Sequence, residues 1–161
     1  MRIASLLVAA CLSWSSDAAA GRCADADPLA AARSMYSERH DFYAAGDEFA
    51  TYLSPELGRL LKRDWTCQEP GEQCAVGADP WVDAQDGGAL EPIEYVLVSG
   101  TRTSALVEMR YRFGWEEMAA EAVPQITTMK FLRSDEDGCW LLDDVQVRKS
   151  SLQAQLKAYT Y

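Results

Sequence analysis

Apolar positions change their period once along this chain. From residue 27 to residue 65 they recur at helical spacing: Leu29, Ala32, Met35 and Tyr36 with His40 form one face, and Leu57, Leu60, Leu61 and Trp65 form another. Each run carries a start signal. Asp27-Pro28 places a capping carboxylate before a proline suited to the first turn, and Ser54-Pro55-Glu56 repeats the device. The first helix is expected to run to about Gly46, with Phe49, Tyr52 and Leu53 forming a short turn between the two helices. From Ile93 onward the period falls to two. Ile93–Val98 is β-branched and aromatic, and Ala105, Val107, Met109, Tyr111 and Phe113 alternate with Leu106, Glu108, Arg110 and Arg112. Gln125–Arg133 reads as a third strand, Asp135-Glu136-Asp137-Gly138 as a tight turn, and residues 139–147 as a fourth strand. Ser151 then caps a short final helix carrying Leu152, Leu156 and Tyr159.

Between these halves, Cys67 to Leu90 shows no period and is rich in Gly, Pro, Asp and Gln, which predicts a long loop. Helices first and antiparallel strands afterward give an α+β domain over residues 21–161. Its N-terminal helices are expected to pack on a curved, four-stranded antiparallel sheet.

The N-terminus has its own logic. Arg2 is a minimal basic start, Ile3–Leu12 is an apolar run too short to span a bilayer, and Asp17-Ala18-Ala19-Ala20 offers small residues for cleavage. Residues 1–20 therefore read as a secretory signal, which sends the chain to the periplasm. A competing reading rests on Val8-Ala9-Ala10-Cys11, which resembles the lipobox of bacterial lipoproteins and would put a lipid anchor on Cys11. No later segment is apolar and long enough to serve as a membrane span.

Export changes the meaning of the cysteines. Beyond the signal the chain holds Cys23, Cys67, Cys74 and Cys139, which admit three pairings. Cys67 and Cys74 bracket the turn-rich Gln-Glu-Pro-Gly-Glu-Gln and are expected to pair locally, leaving Cys23 with Cys139. In the chain-entropy picture the short loop contributes about 2.5 kcal/mol and the long one about 5. Zinc is disfavoured: the cysteine spacing is wrong and His40 is the sole histidine. Asp79, Asp83 and Asp86 do not follow the alternating ligand pattern of a calcium loop. The net charge of −10 makes nucleic acid or an anionic membrane a poor partner and a basic protein a suitable one. No phosphate loop, nucleophile elbow or cofactor motif is present.

Asp143 and Asp144 pose a specific problem. Side chains alternate across a regular strand, so adjacent acids should face opposite sides. The expected arrangement sends one carboxylate to water and uses the other to fasten the loop around Trp81, Asp83 and Asp86 through backbone amides, because a buried carboxylate needs donors.

Three segments, Tyr52-Leu53-Ser54-Pro55-Glu56-Leu57, Asp79-Pro80-Trp81-Val82-Asp83-Ala84-Gln85-Asp86 and Gly138-Cys139-Trp140-Leu141-Leu142-Asp143-Asp144-Val145, resemble a bacterial envelope-protein domain of unknown function within the nuclear transport factor two-like superfamily. That resemblance implies a cone of helices over a curved sheet. Members of the superfamily include isomerases, dehydratases, hydrolases and pure binding domains, so fold alone transfers no activity. In a pocket enzyme of this kind Asp143 or Asp144 would be the acid and Tyr95 or Tyr111 the donor to an oxyanion, with Met109, Phe113, Met129 and Trp140 as an apolar wall. The reading placed first is a non-catalytic periplasmic binding protein, an acidic inhibitor or immunity-type protein against a basic envelope partner. It would contact ligand or partner through Tyr95, Tyr111, Trp140, Asp143 and Asp144. A carrier or sensor of small apolar ligands is the alternative.

Overall fold

The structure, a computed structural model, describes residues 27–44, 46–68 and 72–161. The expected signal segment, Cys11 and Cys23 lie outside them.

Helix α1 spans Pro28–Glu38. Asp27 accepts the Leu29 and Ala30 amides at 2.9 and 3.4 Å, as its capping position predicts. The helix stops eight residues before Gly46, shorter than expected, and the chain turns through residues 40–44 so that Phe42 enters the core. A 3-10 turn at Asp47–Tyr52 leads into α2, Pro55–Gln68, whose Leu57, Leu60, Leu61 and Trp65 are all buried.

The sheet is an antiparallel meander in chain order: β1 Gly88–Gly100, β2 Ser104–Gly114, β3 Val123–Arg133, β4 Trp140–Val147 and β5 Ser150–Ser151. Four strands were expected. The fifth is a two-residue strip pairing Gln146 with Ser151 and Val147 with Ser150, too short to leave a periodic signal. β1 starts earlier than its β-branched run because Gly88, Ala89 and Leu90 pair with Gly114, Phe113 and Arg112. Pairing across a ladder, not local propensity, extends it. Pro92 is tolerated because β1 is the edge strand.

One face of the sheet is covered. Ala105, Val107, Met109 and Tyr111 of β2 and Thr127, Met129 and Phe131 of β3 point inward beneath α1, α2 and the final helix α3, Leu152–Ala158. The opposite face carries Glu108, Arg110, Ile126 and Lys130, in the alternation expected of a half-solvated sheet. Ser151 caps α3 by accepting the Ala154 amide at 3.1 Å, as expected. The disulfide Cys67–Cys74 closes the loop after α2, with Cα atoms 6.1 Å apart. Cys139 is also disulfide-bonded, and its expected partner Cys23 lies outside the described residues. No helix among the described residues is long and apolar enough to cross a membrane.

Candidate functional site

The acid pair is built differently from the expectation. In the β3–β4 ladder Lys130 pairs with Asp144 while Phe131 pairs with Leu142, so Asp143 is the extra residue of a β-bulge. A bulge suspends alternation, and both carboxylates turn to the same side. Gln153 shows this directly: its amide N–H donates to Asp144 Oδ1 at 3.0 Å while its side-chain Nε2 donates to Asp143 Oδ1 at 3.1 Å. Neither acid faces water; Asp143 and Asp144 are 4% and 6% exposed.

Asp144 seats α3, and Asp143 seats α2 while also accepting from Gln153 of α3. Asp143 Oδ1 accepts the Ser54 hydroxyl at 2.7 Å, and Ser54 Oγ accepts the Leu57 amide at the start of α2. Lys130 Nζ lies 2.7 Å from Asp143 Oδ2, with its side chain half exposed. Asp144 Oδ2 accepts the Ser151 hydroxyl at 2.7 Å and Gln146 Nε2 at 3.1 Å, while its Oδ1 accepts the Val145 and Gln153 amides. Asp144 receives four donors, and Asp143 receives Ser54 and Gln153 on Oδ1 and Lys130 on Oδ2, which offsets the cost of burying both carboxylates.

The Trp81 loop is fastened by other groups. Asp79 and Ala84 form an isolated bridge, and Asp79 Oδ1 caps the turn by accepting the Trp81 amide at 2.8 Å. The Trp81 indole, fully buried, donates to the His40 carbonyl at 2.8 Å and meets Phe42 and Tyr36 edge-on. From the sheet, Tyr111 Oη and Thr127 Oγ1 both reach the Trp81 carbonyl, and Gln125 Nε2 donates to the Val82 carbonyl at 2.8 Å. Asp83 only supplies the left-handed turn at φ 54°, and Asp86 is exposed. The clasp expected from one acid of the Asp143–Asp144 pair on the loop of Trp81, Asp83 and Asp86 is instead made by Asp79, Tyr111, Gln125 and Thr127. Farther back, Asp64 holds the start of the same loop: fully buried on α2, it accepts the Ala75 amide at 2.7 Å and the Tyr161 hydroxyl at 3.1 Å.

His40 stands beside this clasp. Its Nε2 lies 3.1 Å from Asp79 Oδ2, and the Tyr36 ring packs against it at 5.0 Å. The hydrogen bond to Asp79 raises the His40 pKa above its ordinary value, against the opposing pull of partial burial. Burial pushes the neighbouring Tyr36 and Tyr43 phenols up to about 12.

The tyrosines and tryptophan singled out from sequence do not converge. Tyr111 is buried with its hydroxyl spent on Trp81 and Thr127, and its pKa is raised first by desolvation. Tyr95 lies half-buried beneath the Arg33 guanidinium, which is 5.5 Å above its ring. Trp140 is half-buried, 5.8 Å from Arg133. Met109 and Met129 are core, not pocket wall.

Sequence reasoning missed two surface features. A cleft of about 780 Å3 opens between Tyr52–Pro55 and the β3–β4 turn, with Arg133 and Asp135 on its rim. A smaller groove of about 210 Å3 is lined by Phe113, Trp115, Met118 and Val123 at the far end of β2 and β3. The only signal for the groove was an unassigned Trp115 and Met118 set among glutamates. No group of three or more metal-ligating side chains occurs among the described residues. No protein-family model, curated protein or solved structure matches the chain.

Proposed function

We infer that this protein is a non-catalytic binding protein that recognises a basic protein partner through its outer surface. The observation that carries this reading is Trp81. Its indole fills the inner face of the sheet, and Tyr111, Gln125 and Thr127 are all committed to holding its loop there. A pocket isomerase or hydrolase needs an acid and a phenol converging on open space, and a carrier needs an open apolar cavity. Here the acids hold the serines that cap two helices, and the phenol braces a tryptophan. Recognition is left to the surface, where a net charge of −10 favours cationic partners and speeds encounter with them.

Secretion to the periplasm belongs to the same reading. It is supported by the apolar run Ile3–Leu12, by Asp17-Ala18-Ala19-Ala20 and by the disulfide Cys67–Cys74, a bond that persists in oxidising compartments. Membership of the nuclear transport factor two-like superfamily, with its cone-like shape, is supported by helices laid over one face of an antiparallel meander. An inhibitor or immunity-type role fits an acidic binder with a filled interior. Capture of partners from envelope extract at low and high ionic strength tests the reading: a basic protein retained at low salt and released at high salt is expected. Partners indifferent to salt, or a small molecule copurifying in stoichiometric amount, would overturn it.

A further inference from the structure

The connection between β2 and β3 breaks the usual burial rule. Trp115, Met118 and Val123 are 46%, 44% and 52% exposed, yet they lie together around one groove floored by Phe113. Scattered exposed apolar residues are ordinary, but a tryptophan, a methionine and a valine lining a single concavity mark an interaction surface. The groove is built rather than frayed. Arg112 donates to the Ala122 carbonyl at 2.7 Å, tying the excursion back to its strand. Gly114 allows the close return of the chain, since a Cβ there would stand 2.9 Å from the Ala122 Cβ. Trp115 keeps its ring 6.4 Å from that of Phe113.

The surroundings of the groove are acidic in balance. Glu116, Glu117 and Glu121 are exposed on the 3-10 turn that carries Met118, and none has an ion-pair partner among the described residues. Arg112, exposed beside them, keeps its positive charge while one guanidinium nitrogen donates to the Ala120 and Ala122 carbonyls, and the three glutamates outnumber it. We propose that this groove is the docking site for a basic partner protein, taking an apolar side chain between Trp115 and Met118 while flanking Lys or Arg residues meet Glu116, Glu117 and Glu121. A second copy of this chain is a worse occupant. A two-fold contact through the patch would set the same three glutamates against their equivalents. An anionic lipid surface is opposed by the same rim. This assignment rests on the basic-partner reading and names the face that reading uses.

The test uses the full chain, amide NMR and three short probes: Lys-Lys-Leu-Trp-Lys-Lys, its Glu-Glu-Leu-Trp-Glu-Glu counterpart, and hexalysine. The cationic apolar peptide should shift amides of residues 113–123. Trp115→Ala and the reversal Glu117→Lys with Glu121→Lys should each weaken it about tenfold or more. The acidic peptide and hexalysine should leave the groove unperturbed. Binding of the cationic apolar peptide that maps instead to the cleft at Tyr52 and Asp135 would overturn the groove while sparing the basic-partner reading. No shifts from any cationic probe would remove both. Concentration-dependent dimerisation abolished by Trp115→Ala would overturn the proposal in favour of a second copy.

Discussion

The Ser54 hydroxyl donates to Asp143 Oδ1 at 2.7 Å and at the same time accepts the Leu57 N–H at 3.1 Å. One strand residue therefore holds a helix cap in the rotamer that caps. Ser151 repeats the arrangement with Asp144, accepting the Ala154 amide at 3.1 Å. The bulge at Asp143 lets two adjacent residues of β4 seat two helices that lie far apart in sequence.

Both acids should consequently matter to stability. Asp143→Ala leaves the Ser54 hydroxyl without its buried acceptor, and Asp144→Ala strips the Gln153 amide and the Ser151 hydroxyl. Each should cost about 2–4 kcal/mol in urea unfolding, within the range for breaking a buried hydrogen-bond network. The Lys130 bridge adds little to the Asp143 figure because the lysine is half exposed. Ser54→Ala and Ser151→Ala should cost about 1–2 kcal/mol each. A large loss for one acid and none for the other would show that they do not share the bulge as described.

His40 gives the fold a pH dependence of known sign. Its pKa is raised in the folded state by the hydrogen bond to Asp79, so its contribution is fully present below the ordinary histidine value and is lost as pH rises through the folded value. The charged and titratable groups facing it are Asp79, the nearby Asp41 and the Tyr36 ring. The melting temperature should therefore fall as pH rises from the ordinary histidine value through the raised folded value, and His40→Gln should flatten that slope. Tyr36 and Tyr43 do not interfere, because burial holds their ionisation near 12. A slope unchanged in His40→Gln would assign the titration to another group.

Trp81 tests the filled interior. Trp81→Ala empties the largest fully buried side chain among the described residues and should cost about 3–5 kcal/mol. Trp81→Phe should recover most of the packing but lose the bond to the His40 carbonyl, for a penalty of about 1–2 kcal/mol. If Trp81→Ala keeps parental stability while a hydrophobic dye binds stoichiometrically, the interior is a ligand cavity and the carrier reading gains.

What the sequence determined by itself was local. Asp27-Pro28, Ser54 and Ser151 announce helix starts because a cap is satisfied by amides within four residues of it. The alternation from Ala105 to Phe113 announces a half-buried strand because the pleat has a period of two. The Cys67–Cys74 pair follows from a short turn-rich loop.

Everything that joined distant segments was decided by the tertiary structure. The bulge at Asp143 depends on the register against Lys130 and Phe131, which no property of residues 139–147 encodes alone. The clasp on the loop went to Gln125 and Thr127, indistinguishable in sequence from ordinary strand residues, and the anchor of its start went to Asp64, which reads as a solvated helix position. Buried carboxylates and amides take whichever donors and acceptors the fold brings within reach. Their partners here lie up to 97 residues away, beyond any local pattern.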